Sequence, residues 1–136
     1  MDGGKTVMTN IILKEGLIYT EVTLTHKNNT VVLKNALVDT GSASTVISKD
    51  IADVLELKPE PTDIINSVQG VGGSESVIEK KIDIIKLDDA EMFEFYIQVG
   101  AMDYGIELEA IIGLDLLTSC HAIMDLNNFI LTTPEG

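Results

Sequence analysis

Short β-rich runs recur about every ten residues along this chain and are separated by turn-forming residues. Leu17–Thr25 shows the pattern most clearly, because apolar and polar residues alternate along it as they do in a strand with one buried face. The sequence HKNNT at 26–30 then provides a turn. Strands at this spacing, together with one or two short helices, predict a mostly-β barrel or sandwich. We expect a single domain over residues 1–136.

The predicted strands are Thr6–Leu13, Leu17–Thr25, Thr30–Val38, Asp63–Val68, Ser76–Leu87, Glu91–Val99 and Ala110–Ile112, followed by a hairpin over Ala122–Leu131. One helix is predicted over Ser48–Leu57, because Ser48 can cap it and apolar residues follow at helical spacing. Pro59 then ends it. A second, short helix is predicted over Gly113–Ser119. The chain is 45% hydrophobic but only 4% aromatic, so its core must be aliphatic.

Charge restricts the partners that the chain can bind. Its 22 acidic and 9 basic residues give a formal net charge of −13, and every basic residue is a lysine. Nucleic acids and anionic membrane surfaces bind basic patches, so this balance argues against both as partners.

Other features of the sequence predict a cytoplasmic protein. Cys120 is the only cysteine, so no intrachain disulfide can form, which fits a reducing compartment. The N-terminal residues lack the basic start and long apolar stretch of a secretory signal. No apolar run approaches the roughly 20 residues of a membrane span, so we expect no membrane segment in this chain. Because no cluster of histidine and cysteine suggests zinc, we expect no metal site. We also expect no cofactor.

One acidic residue stands where an apolar strand ends. Residues 36–48 read ALVDTGSASTVIS, which places Asp39, Thr40, Gly41 and Ser42 directly after the strand predicted to end at Val38. Two further motifs follow in order, the glycine-rich QGVGGS at 69–74 and the apolar AIIGLDLL at 110–117. Three motifs in a fixed order are more specific than the Asp-Thr-Gly tripeptide alone.

With these motifs the sequence resembles the retroviral-type, retropepsin-like single-domain aspartic proteases. VDTGS resembles their catalytic loop, GVGG at 70–73 the tip of their flap, and IIGLDLL at 111–117 their apolar-apolar-Gly segment with its short helix. The resemblance covers roughly Tyr19 to Leu131. It implies a closed aspartic-protease barrel with a flap hairpin and one or two short helices.

The resemblance also implies an aspartic endopeptidase that hydrolyses a peptide or protein substrate. Such enzymes activate a water between two carboxylates that share one proton. This chain has one Asp-Thr-Gly, so the resemblance implies a homodimer in which Asp39 of each subunit meets its counterpart. Thr40 would hydrogen-bond across the twofold axis, and Gly41 would allow close approach of the substrate. Ser42 would donate a hydrogen bond to the Asp39 carboxylate.

Substrate-binding residues follow from the same resemblance. Gly70, Val71 and Gly72 would lie at the flap tip above the bound peptide, and Ile111 would line an apolar side-chain pocket. Gly113 would allow tight packing behind the catalytic loop.

The chain also departs from the retroviral pattern. Ala43 and Ser44 replace acids that hold the substrate backbone, and Leu114 replaces the arginine that pairs with one of them. The paired loss of acid and arginine is self-consistent, because an unpaired buried charge is costly. No family role is assigned to Asp115.

Several other interpretations stay open at the level of sequence. The chain could be a catalytically weak retropepsin-fold module that binds peptides or dimerises, or a domain of a larger protein. Asp39 could be an ordinary turn aspartate, and QGVGGS an ordinary hairpin rather than a flap. A thiol site at Cys120 and His121 is disfavoured, because neighbours on a strand point to opposite faces.

Overall fold

A computed structural model describes residues 10–70, 73–102 and 108–134 of the chain. Its strands are β1 (Ile12–Lys14), β2 (Leu17–His26), β3 (Asn29–Val38), β4 (Val46–Ser48), β5 (Ile65–Gly70), β6 (Gly73–Leu87), β7 (Ala90–Gly100), β8 (Ala110–Ile112), β9 (Ile123–Asp125) and β10 (Ile130–Thr132). The helices are α1 (Lys49–Val54) and α2 (Leu114–Ser119). The predicted mostly-β fold with short helices is confirmed. The part of the first predicted strand before Asn10 lies outside the described residues.

Strand pairing produces a closed ring. The main sheet has eight strands in the order β1-β2-β3-β8-β4-β7-β6-β5, and β2 also pairs with β6. The ring therefore runs through β2, β3, β8, β4, β7 and β6, while β1 and β5 are attached outside it. β9 and β10 form a separate two-stranded sheet, as the predicted hairpin over Ala122–Leu131 required.

Strand β4 was not predicted, because Val46–Ser48 lies where the sequence indicated only a loop rich in serine and threonine. It is three residues long and is defined by its partners, pairing parallel to β7 and antiparallel to β8. Both partners lie more than forty residues further along the chain. Local sequence cannot reveal a strand that exists only through such distant pairing.

Helix α1 begins as predicted but is shorter. The Ser48 side chain accepts a hydrogen bond from the Ile51 amide at 3.3 Å, which confirms the N-cap. The helix ends at Val54, before the predicted end at Leu57, and Glu56 takes a left-handed conformation with φ 58°. This turn lets both Leu55 and Leu57 be buried, so core packing ends the helix before Pro59 is reached.

Aliphatic side chains fill the main core, as composition predicted. Its most deeply buried members, each at most 2% exposed, include Val22, Leu24, Leu33, Ile47, Ile82, Ile85, Leu87, Ile97, Ile112, Leu116 and Leu131. Each such side chain contributes about 1.5–3 kcal/mol when it leaves water. The core therefore holds the ring strands and α2 in fixed positions.

A second, smaller apolar cluster lies on the opposite face of the sheet. Its buried members are Leu37, Val46, Val77, Met102, Leu108 and Ile111. Neighbouring residues on a strand point to opposite faces, so Val46 and Ile111 join this cluster while Ile47 and Ile112 join the main core. The site described below lies on the face with the second cluster.

Lys80 on β6 is a buried cation that binds two carboxylates. Its ammonium lies 2.8 Å from Asp63 Oδ1 and 2.9 Å from Glu60 Oε1, and its side chain is 9% exposed. Burial is the largest single effect on the pKa of Lys80 and lowers it, but hydrogen bonds to Asp63 and Glu60 outweigh burial, so the pKa is raised. These two ion pairs fasten the segment before β5 onto β6.

The ion pair between Asp63 and Lys80 predicts how stability changes in acid. The hydrogen bonds from the Lys80 side chain and the Glu60 amide lower the pKa of Asp63 below its usual 3.8. Its contribution is therefore complete above about pH 4 and is lost as pH falls through the lowered pKa. We expect the difference in free energy of unfolding between wild type and Asp63→Asn to be constant from about pH 5 to 8 and to shrink in acid. Urea titrations at pH 7 and pH 3 check this, and a difference that grows in acid would contradict it.

Candidate active site

Asp39 lies directly after β3, in a turn held by backbone hydrogen bonds. Its amide donates to the Ile112 carbonyl at 3.0 Å, so β8 fixes the point where the strand ends. The Ser42 amide donates to the Asp39 carbonyl at 3.1 Å, which closes the turn. The carboxylate oxygen Oδ1 accepts from the Gly41 amide at 2.9 Å, so the side chain has a defined orientation while remaining partly exposed.

The predicted hydrogen bond from Ser42 to the Asp39 carboxylate was wrong. The Ser42 hydroxyl donates instead to the Ser44 carbonyl at 2.8 Å. Ser42 is only 6% exposed, so its hydroxyl requires an acceptor inside the loop. The turn also brings the Gly41 amide, rather than the Ser42 side chain, to the carboxylate. The Ser42 hydroxyl therefore stabilises the loop and makes no hydrogen bond to the Asp39 carboxylate.

Gly113 packs directly behind this loop, as the resemblance predicted. A Cβ atom at Gly113 would lie 2.5 Å from the Ser44 carbonyl oxygen and 2.8 Å from that of Ser42. The neighbouring Leu114 amide donates to the Ser42 carbonyl at 2.8 Å. Gly113 has φ −94°, so the position requires glycine because of space rather than backbone conformation.

Asp115, which had no assigned role, fixes the end of the loop. Its carboxylate accepts from the Thr45 amide at 3.0 Å, from the Thr45 hydroxyl at 2.7 Å and from the Leu116 amide at 2.7 Å. Hydrogen bonds to a charged acceptor are stronger than neutral ones. The Thr45 hydroxyl in turn accepts from the Gly113 amide at 3.2 Å. An acid in the first turn of a predicted helix directly after the apolar-apolar-Gly segment was the sequence signal for this residue.

Replacing Thr45 with Val is expected to destabilise the fold by about 2–4 kcal/mol. Valine keeps the shape, but it removes the hydrogen bond to Asp115 and leaves the buried Gly113 amide without its acceptor. Thr118→Val is the matched control, since Thr118 is exposed and its hydroxyl bonds only to carbonyls of α2. It should change stability by less than about 0.5 kcal/mol. Equal effects of the two variants in urea denaturation would refute the role given to Thr45.

The predicted substrate-binding residues lie in two places. Ile111 is 7% exposed and pairs with Leu37 on one side and Val46 on the other. Gly70 ends β5 and pairs with Gly73 at the start of β6. Val71 and Gly72 lie outside the described residues. Thr40 and Gly41 are exposed beside Asp39.

The geometry does not support the thiol alternative. Cys120 is 2% exposed, and burial raises the pKa of its thiol to about 11, which disfavours the reactive thiolate. His121 is exposed. In the described ranges no group of three or more His, Cys, Asp or Glu side chains could hold a metal. Within the same ranges, no helix has the length and apolar character to cross a membrane.

The sequence of this chain matches one protein-family model. The family model described as Aspartyl protease matches residues 22–116. This span is well over half of the chain and runs from β2 into α2, so it includes the Asp39 loop, Gly113 and Asp115. A search among curated proteins returned no match. The family match and the ordered motifs together show that this chain belongs to the retropepsin-like aspartyl proteases.

Proposed function

We propose that this chain is an aspartic endopeptidase that works as a symmetric homodimer. The observation that carries the proposal is Asp39, which stands in the single Asp-Thr-Gly of a member of this family and is held in a backbone-bonded turn with its carboxylate partly exposed. The reaction needs two carboxylates that share one proton. A second copy of the chain supplies the other Asp39.

The surface around Asp39 supports this arrangement. Thr40, Gly41 and Ala43 are exposed in the same loop. Leu114, which is 42% exposed, contacts the loop through its amide. In the dimer Thr40 hydrogen-bonds across the twofold axis. Two copies at −13 each bring a total of −26 to the dimer, so added salt should strengthen association by screening repulsion.

The two Asp39 carboxylates hold one proton between them at the start of the reaction and one at the end. The ionised carboxylate takes a proton from the bound water as the water oxygen attacks the peptide carbonyl. The protonated carboxylate then supplies the proton that the leaving nitrogen takes when the C–N bond breaks, so no covalent intermediate forms. In this proposal the strand ring is the protease barrel. The β5–β6 hairpin is the flap and holds the substrate as an added strand.

Cleavage of a peptide library across pH, with and without a transition-state-mimicking aspartic protease inhibitor, tests the proposal. Inhibitor-sensitive cleavage supports it.

A second candidate is a peptide-binding or dimerisation module. It is favoured by Ala43 and Leu114, which stand where retroviral enzymes carry an acid and an arginine. Peptide binding without any cleavage by the wild-type dimer would favour this candidate and contradict the protease.

A further inference from the structure

Directly paired residues on six neighbouring strands form a row across one face of the ring. The row is, in order across β2, β3, β8, β4, β7 and β6, Tyr19, Leu37, Ile111, Val46, Gln98 and Glu79. Paired residues on adjacent strands present their side chains on the same side of the sheet. The row therefore starts apolar and becomes polar at Gln98.

Asp39 lies beside the apolar part of this row. Asp39 follows Leu37 by two residues, and the Asp39 amide continues the pairing with β8 through the Ile112 carbonyl. Residues two apart on a strand point to the same face, so Asp39 and Leu37 share a face. From Ile111 to Glu79 the row crosses three strand spacings, which is about 14 Å. An extended peptide of about four residues is long enough to span this distance.

The polar end of the row is a cluster of two amides and one carboxylate. Asn66 Nδ2 donates to Gln98 Oε1 at 3.1 Å and lies 3.5 Å from Glu79 Oε1. Gln98 Nε2 lies 3.4 Å from the same oxygen of Glu79. Gln98 is only 6% exposed, whereas Asn66 and Glu79 are partly exposed. The buried amide therefore supports two side chains that remain open to a ligand.

Two acceptor atoms of this cluster receive no hydrogen bond from the described residues. Its internal hydrogen bonds use Glu79 Oε1 and Gln98 Oε1. No described residue donates to Glu79 Oε2 or to Asn66 Oδ1. The nearest cation on this face of β6, Lys81, lies 3.5 Å from Glu94 across the strand pair. A ligand group that fits here carries hydrogen-bond donors and a positive charge.

We propose that Asn66, Glu79 and Gln98 form a specificity subsite for a lysine or arginine side chain of the peptide substrate, distant from the bond that is cut. This inference rests on the proposed function, because it takes the face beside Asp39 as the peptide-binding face. The carboxylate of Glu79 supplies the charge. The buried Gln98 amide holds Glu79 and Asn66 in place, so fewer rotamers are lost when the ligand binds.

Peptide binding by the Asp39→Asn protein tests the subsite without requiring catalysis. The probes are labelled octapeptides in which lysine or norleucine is placed at each position in turn, and affinity is measured by fluorescence polarisation at fixed ionic strength. We expect one position at which lysine binds at least about fivefold more tightly than norleucine. Glu79→Gln, added to Asp39→Asn, should abolish this preference. Glu91→Gln is the matched control, since Glu91 is an exposed acid elsewhere on the same sheet, and it should preserve the preference.

Three results would overturn the subsite: no binding of any peptide, no preference for lysine, or a preference that survives Glu79→Gln. Asn66→Asp adds a carboxylate at the same opening and should strengthen the preference, which gives a second test if Glu79→Gln does not fold. A lysine preference without cleavage by wild-type protein would refute the proposed protease and leave the subsite standing. Cleavage by wild-type protein without a preference for lysine would refute the subsite and leave the proposed protease standing.

Discussion

Replacing Asp39 with Asn is expected to lower kcat/KM for a cleaved peptide by at least about 10³-fold. In the proposed dimer the substitution changes both members of the carboxylate pair, so neither a base for the water nor an acid for the leaving nitrogen remains. Folding should be preserved, because the Asn side-chain oxygen can accept the same hydrogen bond from the Gly41 amide. We expect Tm to change by less than about 2 °C.

Asp53→Asn is the matched control for Asp39→Asn. Asp53 is an exposed carboxylate on α1, so its loss changes net charge equally without changing the site. The control should retain wild-type kcat/KM. Undiminished cleavage by Asp39→Asn, at a Tm equal to that of wild type, would contradict the mechanism.

Replacing Gly113 with Ala is expected to cost at least about 3 kcal/mol of stability, and in practice to prevent accumulation of folded protein. The added methyl group would meet backbone atoms, with the Ser44 carbonyl carbon 2.6 Å away and its oxygen 2.5 Å away. Backbone cannot rotate aside as a side chain can. Relief would require the loop to move away from α2, which breaks the hydrogen bond from Leu114 to Ser42.

Gly16→Ala separates crowding from backbone conformation. Gly16 has φ 79°, where alanine is strained, but a Cβ atom there would meet nothing within 4 Å. Its expected cost is about 1 kcal/mol. Urea denaturation of both variants makes the comparison, and a Gly113→Ala protein as stable as Gly16→Ala would show that the loop does not pack as described.

The sequence predicted the features that depend on local pattern. Alternating residues in Leu17–Thr25 predicted β2, and the Ser48 cap predicted the start of α1. The place of Asp39 at the end of β3 followed from the apolar strand before it. Each of these depends on residues that are close in the chain, so periodicity and capping rules suffice.

Features created by distant contacts could not be predicted in the same way. β4 exists only because β7 and β8 flank it. The hydrogen bonds between Thr45 and Asp115 join residues 70 positions apart. The Ser42 error has another cause, since burial made the hydroxyl bond within its own loop instead of to Asp39. Sequence therefore identified the acid but not the contacts that position it.

In the proposed homodimer each chain carries half of the site. The most direct test measures peptide cleavage over a range of protein concentrations, with the dimer fraction determined by analytical ultracentrifugation in the same buffer. We expect specific activity to rise in proportion to the dimer fraction, and to fall when excess Asp39→Asn protein captures wild-type subunits in mixed dimers. Full specific activity from a strict monomer, unaffected by added Asp39→Asn protein, would contradict the claim.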